Sequence, residues 1–159
     1  MALLEIKKYP DPVLRKKAEK VPEITLEISR LIFDMKDTLI KQGGLGLAAP
    51  QAGELKRIII VQSGKVLKAF INPQIIKKTK DREVMEEGCL SFPNLFLNIK
   101  RCKGVVVEAL NEEGKTIQIE AVGLGARILQ HEMEHLDGVL FIDKISFWQR
   151  FKVFKKIKK

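Results

Sequence analysis

The stretch HEMEH at residues 131–135 holds the side chains with the clearest chemistry in the chain. His131 and His135 are four residues apart, and on a helix this spacing places both imidazoles on one side, where they can bind one metal ion. Glu132 lies between them, in the position of the general base of HExxH sites. The chain contains 2 histidines, and both belong to this motif, which argues against a chance match. The pattern therefore predicts a helical metal site with a catalytic glutamate.

A catalytic site of this type needs a third protein ligand, and the residues after the motif offer few. Phe141 occupies the position of the last histidine in the longer pattern HExxHxxGxxH, and no glutamate follows Glu134. Asp137 is two residues past His135, so on the same helix it points to another face. Asp143 is not excluded by its spacing. The sequence favours a ligand from upstream of the motif, with Asp143 left open.

The upstream candidate is Cys89, in the stretch EEGCLS at residues 86–91. A preceding glycine and a following Phe-Pro pair indicate a turn or the end of a strand. A thiolate with two imidazoles leaves a fourth coordination position for water, as in catalytic zinc sites. A free cysteine is more often a small buried hydrophobic residue. Beside two histidines that lack a third ligand, the metal role is favoured for Cys89, whereas Cys102 is expected to be structural.

The surrounding sequence predicts an α+β fold. One helix is expected at residues 25–41, where apolar residues recur at the helical period, and a second at about 123–136, which carries the histidines and is apolar over much of its circumference. Runs of β-branched residues predict strands at 57–62, 65–70, 73–80, 103–110 and 115–122, the last two joined as a hairpin by NEEGK. We expect a compact single domain with antiparallel β-sheets packed around the central metal-binding helix.

The tail SFWQRFKVFKKIKK predicts a third helix with Ser146 as its N-cap. Its apolar stripe, at the helical period, consists of Phe147, Phe151, Phe154 and Ile157, and lysines cover the rest. In one interpretation the stripe packs on the core and the lysines are solvated, which is the commoner role of such charge runs. In the other interpretation the helix is a basic arm for ribosomal or other RNA.

Composition sets the wider context. The 159 residues, 45% hydrophobic and 31% charged, fit one globular domain. No segment approaches the roughly 18 apolar residues of a membrane span, so no membrane partner is expected. The N-terminus lacks the pattern of a signal peptide, which makes the cytosol the expected location and reduced thiols the expected state of the cysteines. A net charge of +9 favours an anionic partner such as RNA.

Three stretches in this order resemble the three motifs of the peptide deformylase family: GLGLAAPQ at 44–51, EGCLS at 87–91 and QHEMEHLDG at 130–138. The similarity extends over nearly the whole chain. It implies a compact α+β fold, with residues 1–145 as the catalytic part and residues 146–159 as a basic amphipathic helix of the same domain. It also implies a hydrolase that removes the formyl group from the N-terminal formylmethionine of new polypeptides and releases formate.

The resemblance also assigns roles in the reaction. Cys89, His131 and His135 match the family's metal ligands, and Glu132 matches the general base for a metal-bound water that attacks the formyl carbonyl. Gln51 and the backbone N–H of Leu90 match the donors that stabilise the oxyanion. The substrate-binding residues expected from the resemblance and from their apolar character are Leu45, Gly46, Glu87, Gly88, Leu124 and Ile128.

Glu87 also resembles the family's acidic residue that supports the site by pairing with a basic one, here expected to be Arg101. The alternative for such a pair is an ion pair at the surface that contributes little stability.

Further expectations concern the cofactor and partners. One divalent metal ion per chain is expected, with Fe²⁺ as the native ion and Zn²⁺, Ni²⁺ or Co²⁺ as substitutes. The partners are N-formylmethionyl peptides and, through the C-terminal helix, the ribosome and its RNA; the chain is expected to be a monomer or weak dimer.

Two alternative functions are an HExxH metallopeptidase and a non-catalytic RNA-binding protein with a structural metal. The missing downstream ligand argues against the first, and the presence of Glu132 and Gln51 argues against the second.

Overall fold

The strands pair into two antiparallel sheets. The structure, a computed structural model, describes residues 2–157. A five-stranded sheet has the order β1-β2-β3-β6-β7, and β4 and β5 form a separate two-stranded sheet. The strands are β1 (Gly46–Ala48), β2 (Ile58–Ser63), β3 (Val66–Lys78), β4 (Arg82–Cys89), β5 (Phe92–Cys102), β6 (Gly104–Leu110) and β7 (Thr116–Val122). The helices are α1 (Leu26–Gln42), α2 (Gly123–His135) and α3 (Phe147–Ile157).

The five-stranded sheet lies between α1 and α2, and β2 shows why. Side chains of a strand alternate between its faces, and the four residues 58–61 are all buried. Ile58 and Ile60 pack with the apolar face of α1, whereas Ile59 and Val61 pack with α2. A strand buried on both faces needs this continuous apolar run. The α+β fold with a buried central helix is thereby confirmed.

A third apolar cluster joins the β4–β5 hairpin to the segment that follows α2. Phe141 is 2% exposed and packs with Phe92, at a ring-centroid distance of 5.2 Å, and with the edge of His131 at 5.6 Å. Leu95 and Ile99 of β5 complete this cluster. The residue at the position of the absent third histidine is therefore a core residue that packs beside the metal-binding helix.

The end of α2 depends on Gly138, which has a φ of +72°. A Cβ atom at this position would lie 2.4 Å from the carbonyl oxygen of Arg15. The Gly138 carbonyl in turn accepts a hydrogen bond from the Arg15 guanidinium at 3.2 Å. Glycine is required here both for the left-handed backbone and for this close approach.

The two long helices and the β6–β7 hairpin confirm the expectations from periodicity, but the central region differs in two ways. β3 continues through the INP stretch, where we expected a turn between two strands. Asn72 has a φ of +52° and its side-chain amide forms two hydrogen bonds with the backbone of Val21, so the strand bends at an irregular register and does not end. The strands β4 and β5 and their pairing were not predicted, and neither was the short strand β1.

The C-terminal helix also differs from the expectation. Ser146 caps it as predicted, because its hydroxyl accepts a hydrogen bond from the Gln149 N–H at 3.3 Å. The predicted apolar stripe is buried only in part: Phe154 packs on the third apolar cluster beside Val153, which is 7% exposed, whereas Phe147 is 71% and Phe151 59% exposed. Periodicity shows that an apolar stripe exists, but contacts with the core decide which side of the helix is buried.

Both cysteines are free thiols, in agreement with the expectation from the sequence. Within residues 2–157, none of the helices combines the length and the apolar character that crossing a membrane requires.

Candidate metal centre

Helix α2 presents His131 and His135 on one side, with their ring centroids 5.1 Å apart. Both residues are buried, since the helix packs between the large sheet and the β4–β5 hairpin. The i,i+4 spacing therefore has the effect expected from the sequence: it brings two imidazoles to one place.

Cys89 reaches the same place from the end of β4. The register of the hairpin shifts between Gly88 and Cys89, at the turn into β5. This irregularity places the Cys89 Sγ atom 3.4 Å from His135 Nε2. One potential ligand atom from each of Cys89, His131 and His135 lies within 4.8 Å of the other two, a spacing that suits coordination of a single ion.

Glu87 fixes the orientation of His131. Its Oε1 lies 2.9 Å from His131 Nδ1, which is therefore assigned as the protonated ring nitrogen, leaving Nε2 as the potential metal ligand. Burial alone would raise the pKa of Glu87, but hydrogen bonds from His131 and Arg101 outweigh it and lower the pKa to about 2. Glu87 is thus an anion at neutral pH.

Two arginines complete this buried network. Arg101 donates from Nε to Glu87 Oε2 at 2.8 Å and from Nη2 to Oε1 at 3.0 Å. Arg127 donates to Glu87 Oε2 at 2.6 Å and to the carbonyl oxygens of Ile99 and Glu83. The predicted Glu87–Arg101 pair is therefore present, but it is not a surface pair. Arg127 was missed, because its spacing along the sequence carries no signal of this contact.

The charges at the cluster favour a cation. Burial would lower the pKa of His131, but Cys89, Glu87 and Glu132 around it outweigh burial and raise the pKa to about 10. For His135, burial and the neighbouring His131 lower the pKa, so this imidazole is neutral and able to act as a ligand. A divalent cation supplies the positive charge that this donor set stabilises, and the residues therefore fit a metal ion.

Glu132 lies beside the ligand cluster without a charged partner of its own. It is 5% exposed, and its Oε2 has no hydrogen-bond partner among the described residues. Burial raises its pKa to about 7; the positive charge of His131 opposes this increase, and the nearby Glu87 adds to it. A carboxylate with a pKa near neutrality is suited to accept and return a proton.

Gln51 approaches the cluster from the 3₁₀ turn that follows β1. Its side-chain oxygen accepts a hydrogen bond from the Ala48 N–H at 2.9 Å, which orients the amide. The amide nitrogen then donates to Ser91 Oγ at 3.2 Å and lies 3.5 Å from Cys89 Sγ. The hydrogen bond to Ser91 was not predicted, although Ser91 belongs to the EGCLS motif.

A cleft of 540 Å³ opens onto the cluster. Leu45 and Leu124 are about half exposed at its mouth, and Leu90 contributes to its wall. The structure places all of the expected substrate-binding residues on this cleft, namely Leu45, Gly46, Glu87, Gly88, Leu124 and Ile128.

The downstream aspartates do not reach the cluster. The carboxylate of Asp143 forms two hydrogen bonds with Arg15, at 2.6 and 3.0 Å, and one with the Leu140 N–H. Asp137 pairs with Arg57 at 3.0 Å. Asp143, which the sequence left open as a ligand, is therefore part of a structural ion pair.

These features are typical of a class of metal-dependent hydrolases: an α+β fold with a candidate Cys-His-His metal site and an adjacent buried carboxylate. The polypeptide deformylase family model matches residues 3–151. The peptide deformylase of Thermodesulfovibrio yellowstonii is 49% identical, covering 99% of this chain and 98% of the relative. The crystal structure of peptide deformylase from Thermotoga maritima has a TM-score of 0.89 at 41% identity, covering 92% of this chain and 99% of that one. A second crystal structure, from Ehrlichia chaffeensis, has a TM-score of 0.93 at 33% identity, covering 99% and 96%.

The chain belongs to the polypeptide deformylase family. This membership confirms the expected enzyme class and reaction, the hydrolytic removal of the formyl group from N-terminal formylmethionine. The family consists of metal-dependent enzymes, in agreement with the candidate Cys-His-His site. The metallopeptidase alternative is not supported.

Gly46 is required for the position of Glu132. A Cβ atom at position 46 would lie 2.8 Å from Glu132 Cγ, 2.9 Å from its Oε1 and 2.9 Å from Ile128 Cγ2. Gly46→Ala should therefore displace the carboxylate and lower kcat on the order of 10²-fold, as small misplacements of reacting groups do. The measurement is formate release from a formyl-Met dipeptide, with the melting temperature recorded to show that the variant folds.

The matched control is Gly125→Ala in α2, where the nearest atom to the new Cβ is Ala121 Cβ at 3.8 Å. This change should leave kcat unaltered and stabilise the helix by about 0.5–1 kcal/mol. A kcat for Gly46→Ala within twofold of the control would show that the close contact does not position Glu132.

Glu87→Gln should weaken metal binding about 10- to 100-fold, because the amide is a poorer acceptor for His131 Nδ1–H and removes the anion that Arg127 and Arg101 share. Competition with a chelator measures this affinity independently of turnover. Glu83→Gln, an exposed residue on the same strand, is the control and should bind metal as the native protein does. Equal affinities for the two variants would contradict the orienting role of Glu87.

Proposed function

We propose that Cys89, His131 and His135 hold the catalytic metal ion and that Glu132, Gln51 and Leu90 complete the machinery for deformylation. The observation that carries this proposal is the convergence of three ligand atoms within 4.8 Å beside a buried carboxylate that lacks a charged partner. A structural metal site needs neither that carboxylate nor an oriented amide, so their presence supports catalysis.

The bound cation would supply Lewis-acid activation of a water molecule and of the formyl oxygen. Glu132 accepts the proton from the attacking water, and its raised pKa allows it to deliver that proton to the leaving amine. The Gln51 amide and the Leu90 N–H donate hydrogen bonds to the oxyanion that develops on the formyl carbonyl. Breaking the C–N bond releases formate and the free amino group of methionine.

The proposed substrate contacts follow the shape of the cleft. Leu45, Leu124 and Ile128 form an apolar wall suited to the methionine side chain, while Gly46 and Gly88 allow the peptide backbone to approach closely. The formyl group has no side chain, so little space is needed beyond the metal centre. Glu87 contributes through His131, because its carboxylate is already occupied by buried partners.

Fe²⁺ is the proposed native ion, with Zn²⁺, Ni²⁺ or Co²⁺ as substitutes, since one thiolate and two imidazoles bind any of these metals. Metal analysis of anaerobically purified protein tests the assignment. Iron should be the main metal and should be lost or oxidised in air together with activity; zinc as the main metal in anaerobic, active protein would contradict it.

Glu132→Gln should abolish measurable formate release from formyl-Met-Ala while metal remains bound, because the amide cannot accept a proton. Gln51→Ala should lower kcat about 10²- to 10³-fold, the usual effect of removing one oxyanion donor. Both are measured with anaerobically loaded protein, with metal content as the control for binding. Full turnover by Glu132→Gln would refute the role of Glu132, and absence of turnover in the native protein with Fe²⁺, Ni²⁺ or Co²⁺ would refute the assigned site as a whole.

We also propose that residues 1–145 form the catalytic part and that residues 146–159 are a helical extension of the same domain. Val153 is buried in the third apolar cluster, and the ring of Phe154 stacks on Tyr9 at 6.0 Å, which supports a packed helix. Lys158 and Lys159 lie outside the described residues.

The outward face of α3 supports the proposed contact with the ribosome in the cytoplasm. Trp148 is 74% exposed, and Phe147 and Phe151 lie on the surface with it. Lys152, Lys155 and Lys156 are exposed on the same helix. Cations together with exposed aromatic rings suit the phosphates and bases of RNA.

The chain is proposed to act as a monomer or weak dimer, which sedimentation at micromolar concentration tests.

The triple variant Lys152→Gln, Lys155→Gln, Lys156→Gln should reduce co-sedimentation with ribosomes at low salt several-fold, because it removes phosphate contacts. Turnover of small peptides should be unaltered, since these lysines do not line the cleft. The control triple variant changes three exposed lysines elsewhere, Lys17→Gln, Lys20→Gln and Lys65→Gln. If both triple variants bind ribosomes equally, α3 is not the contact.

A further inference from the structure

A second concave surface lies on another side of α2, away from the catalytic cleft. This groove has a volume of 560 Å³ and its walls come from the end of β3, the start of β4, the end of β5, α2 and the segment after it. Its charged side chains are predominantly cationic, six against two carboxylates: Arg57, Lys78, Arg82, Lys100, Arg101 and Lys144, with Glu134 and Asp137. We refer to this surface as the basic groove.

Both carboxylates of the basic groove already have partners. Glu134 is bound by Arg101 and Lys144, and Asp137 pairs with Arg57. Three of the cations, Arg57, Arg101 and Lys144, therefore face acids at the α2 side of the groove, and Arg101 also binds Glu87 behind it. No acid of the groove is left to neutralise the cations on the strand side.

Three cations on the strand side are exposed and have no carboxylate within 4.0 Å in the part of the chain that the structure describes: Lys78, Arg82 and Lys100. They stand on three strands, β3 of the large sheet and both strands of the β4–β5 hairpin, so the packing of the two sheets brings them to one groove. Like charges held together in this way repel one another, and an anion between them removes that repulsion. Without a ligand the repulsion among these three cations is unfavourable, and a bound multivalent anion offsets it.

The floor of the basic groove is ordered independently of any ligand. Arg101 is 4% exposed and held by two glutamates. Gln130, also buried, donates to the carbonyl oxygens of Cys102 and Ala126 and accepts from the Cys102 N–H. The exposed cations therefore surround a rigid base, which reduces the entropy lost when a ligand binds.

The catalytic cleft has a different balance of charge. Its wall includes the carboxylates Glu86, Glu87 and Glu132, and of its basic residues Lys8 lies at the surface while Arg127 is already bound to Glu87. The basic groove, with six cations against two carboxylates, is therefore the protein surface of the two that is better suited to a phosphate. This contrast points to an anionic ligand that is distinct from the formylated peptide.

We propose that the basic groove is a binding site for phosphate groups, carried either by the backbone of RNA or by a compact polyphosphate. Lys78, Arg82 and Lys100 contact the phosphate oxygens from the strand side, and Lys144 contacts them from the α2 side. The site is separate from α3, because no residue of that helix lines the groove. The proposed phosphate site also does not depend on the catalytic roles proposed above for the metal ligands, Glu132 and Gln51.

The test uses the full-length, metal-loaded protein and two probes, a fluorescent single-stranded RNA oligonucleotide and inorganic tripolyphosphate. The triple variant Lys78→Gln, Arg82→Gln, Lys100→Gln should bind the probe about tenfold more weakly than the native protein at about 0.1 M salt. For RNA, the slope of log K against log salt should fall by about 2, which corresponds to three lost phosphate contacts. Turnover of formyl-Met-Ala by the variant should equal that of the native protein, which shows that it is folded.

The control is the Lys17, Lys20, Lys65 triple variant, which removes the same charge from other surfaces and should bind both probes within twofold of the native protein. RNA binding that is tighter than tripolyphosphate binding and depends on the groove cations identifies RNA as the source of the phosphates. Tripolyphosphate binding that is tighter than RNA binding and depends on the same groove cations identifies a compact polyphosphate. Equal losses in the two triple variants, or no loss in either, would overturn the proposal.

Discussion

The carboxylate of Glu87 joins the three parts of the molecule that must come together for the metal centre to exist. It stands near the end of β4, two residues before Cys89, and accepts hydrogen bonds from Arg101 on β5 and from Arg127 and His131 on α2. A buried charge of this kind is costly unless its partners are all in place. The same contacts that satisfy Glu87 therefore fix the hairpin against α2, and with it the distance between Cys89 and the two histidines.

The other side of the site depends on how closely β1 approaches α2. Gly46 leaves no space between the strand and Glu132, so this carboxylate is held by contact and by burial, and its Oε2 has no hydrogen-bond partner within residues 2–157. Burial is also what raises its pKa to about 7. The close packing of β1 against α2 at Gly46 thus has two effects. It positions Glu132, and it buries the carboxylate, which raises its pKa.

The sequence was sufficient for those features that are determined by local periodicity or by residue type. The i,i+4 spacing placed His131 and His135 together, and the lack of a convincing downstream ligand directed attention to Cys89. The β4 strand was not predicted because its residues are mostly exposed on both faces, so no alternation of apolar and polar residues appears. Arg127 and the buried side of α3 could not be predicted, because both depend on contacts between elements far apart in sequence.

Helix α2 separates two surfaces with opposite electrostatic character, and Arg101 connects them. Its guanidinium binds Glu87 on the side of the metal centre and Glu134 on the side of the basic groove. Arg101 is buried, and carboxylates on both sides compensate its charge. Six cations and two carboxylates line the groove, whereas three carboxylates line the cleft. In a protein with a net charge of +9, α2 thus separates the surface proposed for phosphate from the candidate metal centre.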